Sequence, residues 1–295
     1  MLQSITEGIW VWNSGEAGPS IGISFGVHGN ERPPIDAGLE LVRALESGAL
    51  ALDAGKLLLI HANPRASAAN LRWSEGGVDL NRCFHRDVLG RRPILFEESR
   101  AAEIVDALKD QATEILVDFH CTVEPGPRFL MQHPPVSDEA HRRVFELLQG
   151  EVLLSDPDMH FGCVSLDEWM STRSLVGVCY ETGWIEDPEN TAGSVLQEMR
   201  NVLVGTGLLR GEPARYRDKR LIQLEDFMSC AGEGFRWVEG VGLNLQELAA
   251  GTKLGEYPDG TEAVLREDAT LIFPKKNPEL VKPGQPLVYL ARSES

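Results

Sequence analysis

Residues 21–47 read IGISFGVHGNERPPIDAGLELVRALES and join an apolar run to an amphipathic one. The run at 21–27 has the length and composition of a buried strand, and apolar residues then recur at helical spacing over 36–47. The segment therefore predicts a strand that leads into a helix, with His28 in the connection between them.

The same alternation continues along the chain. Apolar runs at 56–61, 114–119, 128–132 and 176–180 alternate with helical patterns at 97–108, 138–148 and 190–204. Strands that alternate with helices are typical of an α/β sheet covered by helices. After Gly211 the pattern changes, because Gly and Pro punctuate short β-like runs at 234–238, 262–266, 270–273 and 286–290. We therefore expect an α/β domain at 1–210 and a small β-rich domain at 211–295.

The composition excludes several classes of partner. The chain has 45 acidic and 28 basic residues and a formal net charge of -17, which disfavours binding to nucleic acid or to an anionic membrane surface. No apolar stretch reaches the length of a membrane span, and the opening residues lack the pattern of a signal peptide. The five cysteines, Cys163 among them, form no C-x-x-C pair, which disfavours a disulfide framework. We expect a cytoplasmic protein.

Four polar residues follow the predicted strands at the points where those strands end. They are His28, Asn63, His120 and Glu181. In open α/β sheets the chemistry gathers in the crevice at the carboxyl ends of the strands, so these side chains are expected to converge.

Three of the residues near these strand ends form a candidate metal site. His28 and Glu31 stand three positions apart, and His120 supplies a second imidazole. Two histidines and one carboxylate are a recurrent catalytic zinc shell that leaves the fourth position open. Asp118 either orients His120 or caps a helix. A lone H-x-x-E is a weak signal, and a His at a strand end is usually an ordinary loop residue, but the joint placement at successive strand ends favours a metal site.

Short motifs in a fixed order carry a resemblance to a known family. They are HGNE at 28–31, NPRA at 63–66, DLNR at 79–82, DFH at 118–120, STRS at 171–174, ETG at 181–183, and the tail segments IFP at 272–274 and VKPG at 281–284. In this order they resemble the succinylglutamate desuccinylase and aspartoacylase family, which is itself similar to zinc carboxypeptidases. The resemblance spans nearly the whole chain and implies a mixed, largely parallel sheet flanked by helices, with a small C-terminal β domain.

The resemblance also implies roles for individual residues. One Zn²⁺ per chain is held by His28, Glu31 and His120, Glu181 is the proton shuttle, Arg72 stabilises the oxyanion, Asn81 and Arg82 bind a substrate carboxylate, and Arg173 binds a second acidic group. The implied activity is hydrolysis of a small N-acyl amino acid, similar to N-succinylglutamate or N-acetylaspartate, by metal-activated water. A zinc carboxypeptidase acting on peptides and a non-catalytic metal-binding relative are the alternatives. The oligomeric state, including a homo-oligomer, stays open.

Two further expectations concern residues outside these motifs. His61, His85, His133, His141 and His160 match no motif, so we expect them at the surface or in packing roles. Aspartoacylases place a substrate-contacting tyrosine beyond the tail motif, whereas this sequence has no tyrosine after Tyr289. The substrate's amino acid is therefore not defined by the sequence.

Overall fold

The computed structural model describes residues 2–133, 139–158, 160, 162, 164–275, 277–278 and 281–293. The strands in this part of the chain are β1 Leu2–Thr6, β2 Ile9–Asn13, β3 Ser20–Phe25, β4 Lys56–His61, β5 Ile115–Thr122, β6 Phe129–Gln132, β7 Val152–Ser155, β8 Val176–Trp184, β9 Arg220–Ser229, β10 Arg236–Trp237, β11 Glu247–Leu248, β12 Lys253–Glu256, β13 Glu262–Val264, β14 Ala269–Ile272 and β15 Pro286–Ser293. The helices are α1 Arg32–Glu46, α2 Pro64–Ala69, α3 Arg86–Leu89, α4 Phe96–Asp110, α5 Glu139–Phe145, α6 Leu166–Ser171 and α7 Ala192–Gly205.

Most strands belong to one mixed sheet. Its twelve strands follow the order β1-β2-β4-β3-β5-β8-β6-β7-β9-β15-β14-β11. The neighbours β4, β3, β5 and β8 are parallel, and antiparallel pairs lie towards both ends of the sheet. The predicted mixed α/β sheet flanked by helices is confirmed.

The two faces of the sheet carry separate apolar clusters, because side chains alternate along each strand. Ile23 of β3 packs on one face with Leu41 of α1 and Val202 of α7. Ile60 of β4 packs on the other face with Ile104 of α4. Each fully buried aliphatic side chain of this kind contributes about 1.5–3 kcal/mol to folding. The helices on both faces fix the position of the central parallel strands. They therefore also fix the strand ends that carry the polar residues.

Several predicted boundaries were wrong by a few residues. Helix α1 begins at Arg32 rather than at 36, since Pro33 and Pro34 occupy its first turn, where no N–H donor is needed. Strands β5 and β8 continue past their predicted ends. His120 and Glu181 therefore lie inside strands and face each other in the β5–β8 register, because pairing keeps both backbones extended there.

The C-terminal part contributes to both sheets. The ten-residue strand β9 was not predicted, because half-exposed polar residues interrupt its apolar pattern. It pairs in parallel with β7, so the main sheet continues past residue 210, while β10, β12 and β13 form a separate three-stranded sheet. The division into domains at 1–210 and 211–295 stays a prediction. No helix in the described ranges is long and apolar enough to cross a bilayer.

Candidate active site

The carboxylate of Glu31 lies between two imidazoles. Its Oε1 atom is 2.6 Å from Nδ1 of His28, and its Oε2 atom is 3.0 Å from Nδ1 of His120. The three residues are only 5%, 3% and 2% exposed for His28, Glu31 and His120 respectively. The structure thus brings the three predicted ligands together, with the Nδ1 atom of each imidazole turned towards the same carboxylate.

Gly29 of the HGNE turn lies against the backbone of helix α2, and this close approach leaves no room for a side chain at residue 29. A Cβ atom at Gly29 would come within 2.1 Å of the carbonyl carbon of Ala66. The Gly29 N–H donates to the carbonyl of Arg72 at 3.3 Å, and Glu31 is the residue directly before α1. The close contact with α2 and the start of α1 together position His28 and Glu31.

Each imidazole uses its second nitrogen to contact another carboxylate. Nε2 of His28 is 3.2 Å from Oδ1 of Asp79, and Nε2 of His120 is 3.0 Å from Oδ2 of Asp118. A metal-ligating histidine typically has such a partner, which fixes its ring orientation and tautomer. Asp118 therefore contacts the ring of His120, as the first of its two predicted roles, orientation of that histidine, requires. The place of Asp79 beside His28 was missed, and its only signal was its position in the DLNR motif.

These groups fit a zinc ion. Two imidazoles and one carboxylate, all buried and with oriented rings, make up the donor set of catalytic zinc sites. Although burial alone would raise it, the charges of His28 and His120 hold the pKa of the Glu31 carboxyl well below its usual range. Glu31 is therefore anionic, as a metal ligand must be.

Glu181 lies beside this centre with a carboxyl oxygen that has no hydrogen bond. It is 7% exposed, and within the described residues its Oε2 atom has no hydrogen-bond partner. Burial raises the pKa of Glu181 to about 8, against the opposing effect of His120. A carboxyl group in this state is able to accept and return a proton near neutral pH.

Arg72 lies at the edge of the same centre. Its Nη2 atom donates to Oδ2 of Asp79 at 3.1 Å, and its side chain is 40% exposed. Its positive charge also opposes the effect of burial on the pKa of Glu181. Arg72 is thus held by Asp79, and its guanidinium still reaches solvent.

Asn81 and Arg82 occupy a short 3-10 turn directly after Asp79. The Oδ1 atom of Asn81 accepts from the N–H of Leu166 at 3.2 Å, and among the described residues no hydrogen bond uses its NH₂ group. Arg82 is exposed and donates from Nη1 to the carbonyl of Asn81 at 2.7 Å. The turn therefore presents an amide donor and a guanidinium next to the metal centre.

Arg173 makes its contacts within its own segment. Its guanidinium lies 3.9 Å from the ring centroid of Trp169, and Nη1 donates to the Trp169 carbonyl at 3.0 Å. Another bond goes to Oγ1 of Thr172. These contacts do not support a role in binding substrate, and that role stays a prediction.

His133 is part of a buried ion-pair cluster. Its Nε2 atom is 2.8 Å from Oδ2 of Asp167, and its Nδ1 atom is 3.4 Å from Oε1 of Glu168. Although burial opposes it, Asp167, Glu168 and Asp156 raise the pKa of His133 to about 9. Donor atoms of His133, Asp156 and Glu168 are close enough to hold a cation. Because the imidazole is already paired with two carboxylates, we interpret the cluster as an ion-pair network, a role more specific than the predicted packing.

The last tyrosine of the sequence lies in the C-terminal strand of the main sheet. Tyr289 lies in β15 and packs against Phe227, with ring centroids 6.0 Å apart. Burial raises the pKa of Tyr289, and the charge of Arg82 opposes that effect. The last tyrosine of the sequence, which follows the tail segment at 281–284, is therefore held against Phe227 in the C-terminal strand.

Comparison with known proteins agrees with these features. Residues 17–150 match the succinylglutamate desuccinylase/aspartoacylase catalytic domain. A succinylglutamate desuccinylase of Yersinia pseudotuberculosis is 24% identical over 93% of this chain and 86% of its own. One of Erwinia tasmaniensis is 47% identical, but the match covers 21% of this chain and only 18% of that relative.

Solved structures show the same fold. The crystal structure of succinylglutamate desuccinylase from Vibrio cholerae superposes with a TM-score of 0.79 at 18% identity. The match covers 99% of this chain and 87% of that one. At this level of identity the similarity establishes the architecture, while the chemistry has to be argued from the residues of this chain.

Proposed function

Because the chain belongs to the succinylglutamate desuccinylase/aspartoacylase family, we propose that it is a zinc-dependent amidohydrolase that deacylates a small N-acyl amino acid. One observation carries the proposal. Glu31 lies between the Nδ1 atoms of His28 and His120, and the buried Glu181 faces His120 across the β5–β8 pair.

His28, Glu31 and His120 would hold the zinc ion. When bound, zinc would lower the pKa of water and act as a Lewis acid on the amide carbonyl. Asp79 and Asp118 keep the two imidazoles oriented, so that Nδ1 of each faces Glu31. The protein thereby presents a rigid set of three donors.

Glu181 moves the proton that hydrolysis requires. Its carboxylate takes a proton from the attacking water and returns it to the leaving nitrogen, which would otherwise depart as an unstable amide anion. Burial favours the protonated form once the proton has been taken, as the raised pKa of Glu181 reflects. The same residue therefore serves as base and then as acid.

Arg72 and the Asn81–Arg82 pair act on the substrate. The guanidinium of Arg72, fixed by Asp79, stabilises the negative charge that develops on the carbonyl oxygen. The NH₂ group of Asn81 and the guanidinium of Arg82 bind a carboxylate of the amino acid, for which the planar guanidinium gives a two-pronged contact. A substrate with at least one carboxylate follows from this arrangement.

Metal analysis and activity on a substrate panel test the proposal. Purified protein is expected to contain close to one zinc per chain, to lose deacylase activity with a chelator, and to regain it when zinc is added. Products that consist of one small acid and one free amino acid distinguish deacylation from carboxypeptidase action on peptides. Zinc binding without activity on any N-acyl amino acid or peptide would instead favour the non-catalytic alternative, and a failure to bind any divalent metal would contradict the proposed zinc dependence.

A further inference from the structure

The loop at 71–79 carries Arg72 and Asp79, two residues of the candidate active site. It joins helix α2 to the 3-10 turn at Leu80–Arg82, and these described residues form neither helix nor strand. Such a loop has no ladder of backbone hydrogen bonds to fix its shape, so its polar backbone groups need partners elsewhere. The place of the Arg72 guanidinium therefore depends on what holds the loop.

The carboxylate of Glu97 is such a partner. Glu97 lies in the first turn of helix α4 and is fully buried, at 0% exposure. Its Oε1 atom accepts from the N–H of Ser74 at 3.0 Å, and its Oε2 atom accepts from the N–H of Val78 at 3.4 Å. Two backbone groups of the loop, four positions apart, are thus tied to one buried carboxylate.

Gly77 and Asn63 complete the surroundings of this carboxylate. A Cβ atom at Gly77 would come within 2.4 Å of Oε2 of Glu97, so the loop backbone packs directly on the carboxylate. The NH₂ group of Asn63 donates to Oε1 at 3.3 Å, while its Oδ1 atom caps helix α2 by accepting from the N–H of Ala66 at 3.1 Å. Although burial opposes it, the bonds from Ser74 and Asn63 lower the pKa of Glu97, so the group is anionic. Glu97 thereby fixes the loop relative to both α2 and α4.

Arg72 is held close to these bonds through its backbone and its guanidinium. It lies two positions before the first N–H that donates to Glu97, and Asp79 lies directly after the second. The Arg72 carbonyl accepts from the N–H of Gly29 at 3.3 Å, and its Nη2 atom donates to Asp79 at 3.1 Å. A shift of the loop on its carboxylate would therefore reach Arg72 from both sides.

We infer that Glu97 is a positioning residue, which holds the loop at 71–79 so that the guanidinium of Arg72 faces the reacting carbonyl. The inference rests on the proposed function, in which Arg72 stabilises the oxyanion. Glu97 acts through the loop and not on the substrate. Because a misplacement of about 1 Å costs up to about 10²-fold in rate, loss of this hold should lower turnover.

Glu97→Gln tests the role with little change in side-chain size. The amide replaces one acceptor oxygen with an NH₂ group, which cannot accept from a backbone N–H. We expect kcat at saturating zinc to fall about 10- to 100-fold while KM changes less than about 2-fold, because Asn81 and Arg82 still bind the substrate. Glu75→Gln makes the same chemical change at an exposed residue of the loop and should match the wild type. Wild-type kinetics in Glu97→Gln would overturn the inference.

A double-mutant cycle shows whether the effect passes through Arg72. In an Arg72→Ala background, Glu97→Gln should lower kcat less than about 2-fold further, because the group that the loop positions is already absent. Losses that multiply would instead show a general effect on the fold, and the positioning role would be wrong.

Gly77→Ala disturbs the same contact from the side of the loop and does not depend on how well Glu97→Gln folds. The added methyl would collide with the Glu97 carboxylate, so kcat should fall by a similar factor. Gly232→Ala, where a Cβ atom meets nothing within 4 Å, should keep normal kcat. Unchanged kcat in Gly77→Ala would contradict the inference.

Hydrogen exchange gives a readout that does not depend on turnover. At least one of the amides of Ser74 and Val78 should exchange about 10-fold or more faster in Glu97→Gln than in the wild type and in Glu75→Gln, since it loses its buried acceptor. Equal exchange in the three proteins would overturn the inference. If exchange rises as expected but the wild type hydrolyses no N-acyl amino acid, the proposed function fails, while Glu97 is still shown to hold the loop.

Discussion

The Nε2 atom of His28 lies 3.2 Å from Oδ1 of Asp79, a residue 51 positions further along the chain. The other oxygen of Asp79 accepts from Arg72 at 3.1 Å. One carboxylate thus orients a candidate metal ligand and the guanidinium proposed to face the substrate carbonyl. Although burial opposes it, His28 and Arg72 hold the pKa of Asp79 far below its usual range, so this carboxylate is charged throughout the working pH range.

Loss of the Asp79 charge is expected to weaken zinc binding. Asp79→Asn keeps the shape of the side chain but removes the anionic partner of His28, and the loss of such a partner typically lowers metal affinity 10- to 100-fold. Zinc affinity is measured by competition with a chelator of known affinity. Asp87→Asn, at an exposed aspartate, serves as the control. Equal zinc affinity in the two variants would show that Asp79 does not support the ligand.

Glu181→Gln should abolish most turnover without loss of metal. The amide cannot carry the proton from water to the leaving nitrogen, so kcat should fall about 10²- to 10⁴-fold. Zinc content should stay near that of the wild type, because Glu181 is outside the proposed ligand set. The exposed Glu186→Gln variant is the control and should keep normal kcat. Wild-type turnover in Glu181→Gln would mean that another group moves the proton.

Arg72→Ala should act on kcat more than on KM. The loss of one donor to a developing oxyanion typically costs about 3 kcal/mol of transition-state stabilisation, or a fall of 10² or more in kcat. Steady-state kinetics on the best N-acyl amino acid measure both constants. Arg86→Ala, at an exposed arginine, should leave both unchanged. A change confined to KM would instead place Arg72 in ground-state binding.

Gly29→Ala should destabilise the protein and impair zinc binding together. The added methyl would collide with the backbone at Ala66 and Ser67, so the HGNE turn would have to move. Overpacking of this kind costs about 1–3 kcal/mol. Chemical denaturation and zinc content are the measurements. Gly232→Ala is the matched control, since a Cβ atom there meets nothing within 4 Å. Normal stability and zinc content in Gly29→Ala would contradict the close packing.

His133 should stabilise the fold in a pH-dependent manner. Its pKa is about 9 in the folded protein against 6.5 for an ordinary histidine, so its stabilising contribution is complete below pH 6.5 and disappears as the pH rises through 9. The contribution is on the order of 3 kcal/mol.

The His133→Gln variant isolates this contribution. The difference in unfolding free energy between wild type and variant should be greatest near pH 6 and shrink by pH 9.5. Urea denaturation at several pH values measures this difference. A difference that does not vary over this range would show that the imidazole is not charged in the folded protein.

Local patterns predicted much of the fold and the positions of the site residues along the chain. Strand β4 was predicted at its observed bounds, and α1 and β3 to within a few residues, because a buried element needs an apolar face with a fixed period. Strand β9 was missed because its half-exposed position leaves no such pattern. The His133 cluster was missed for a related reason, since its partners Asp167 and Glu168 lie in helix α6, far from His133 along the chain, and share no motif with it.

The class of fold and the candidate ligands could be predicted from the sequence, since strand and helix periods and the HGNE motif are properties of neighbouring residues. The position of Glu31 between two imidazoles and the contact of Asp79 with His28 are visible only in the folded chain. Those relationships arise when sheet pairing and loop packing bring distant segments together. Because side-chain charges interact through space at short range, no pattern along the chain contains them.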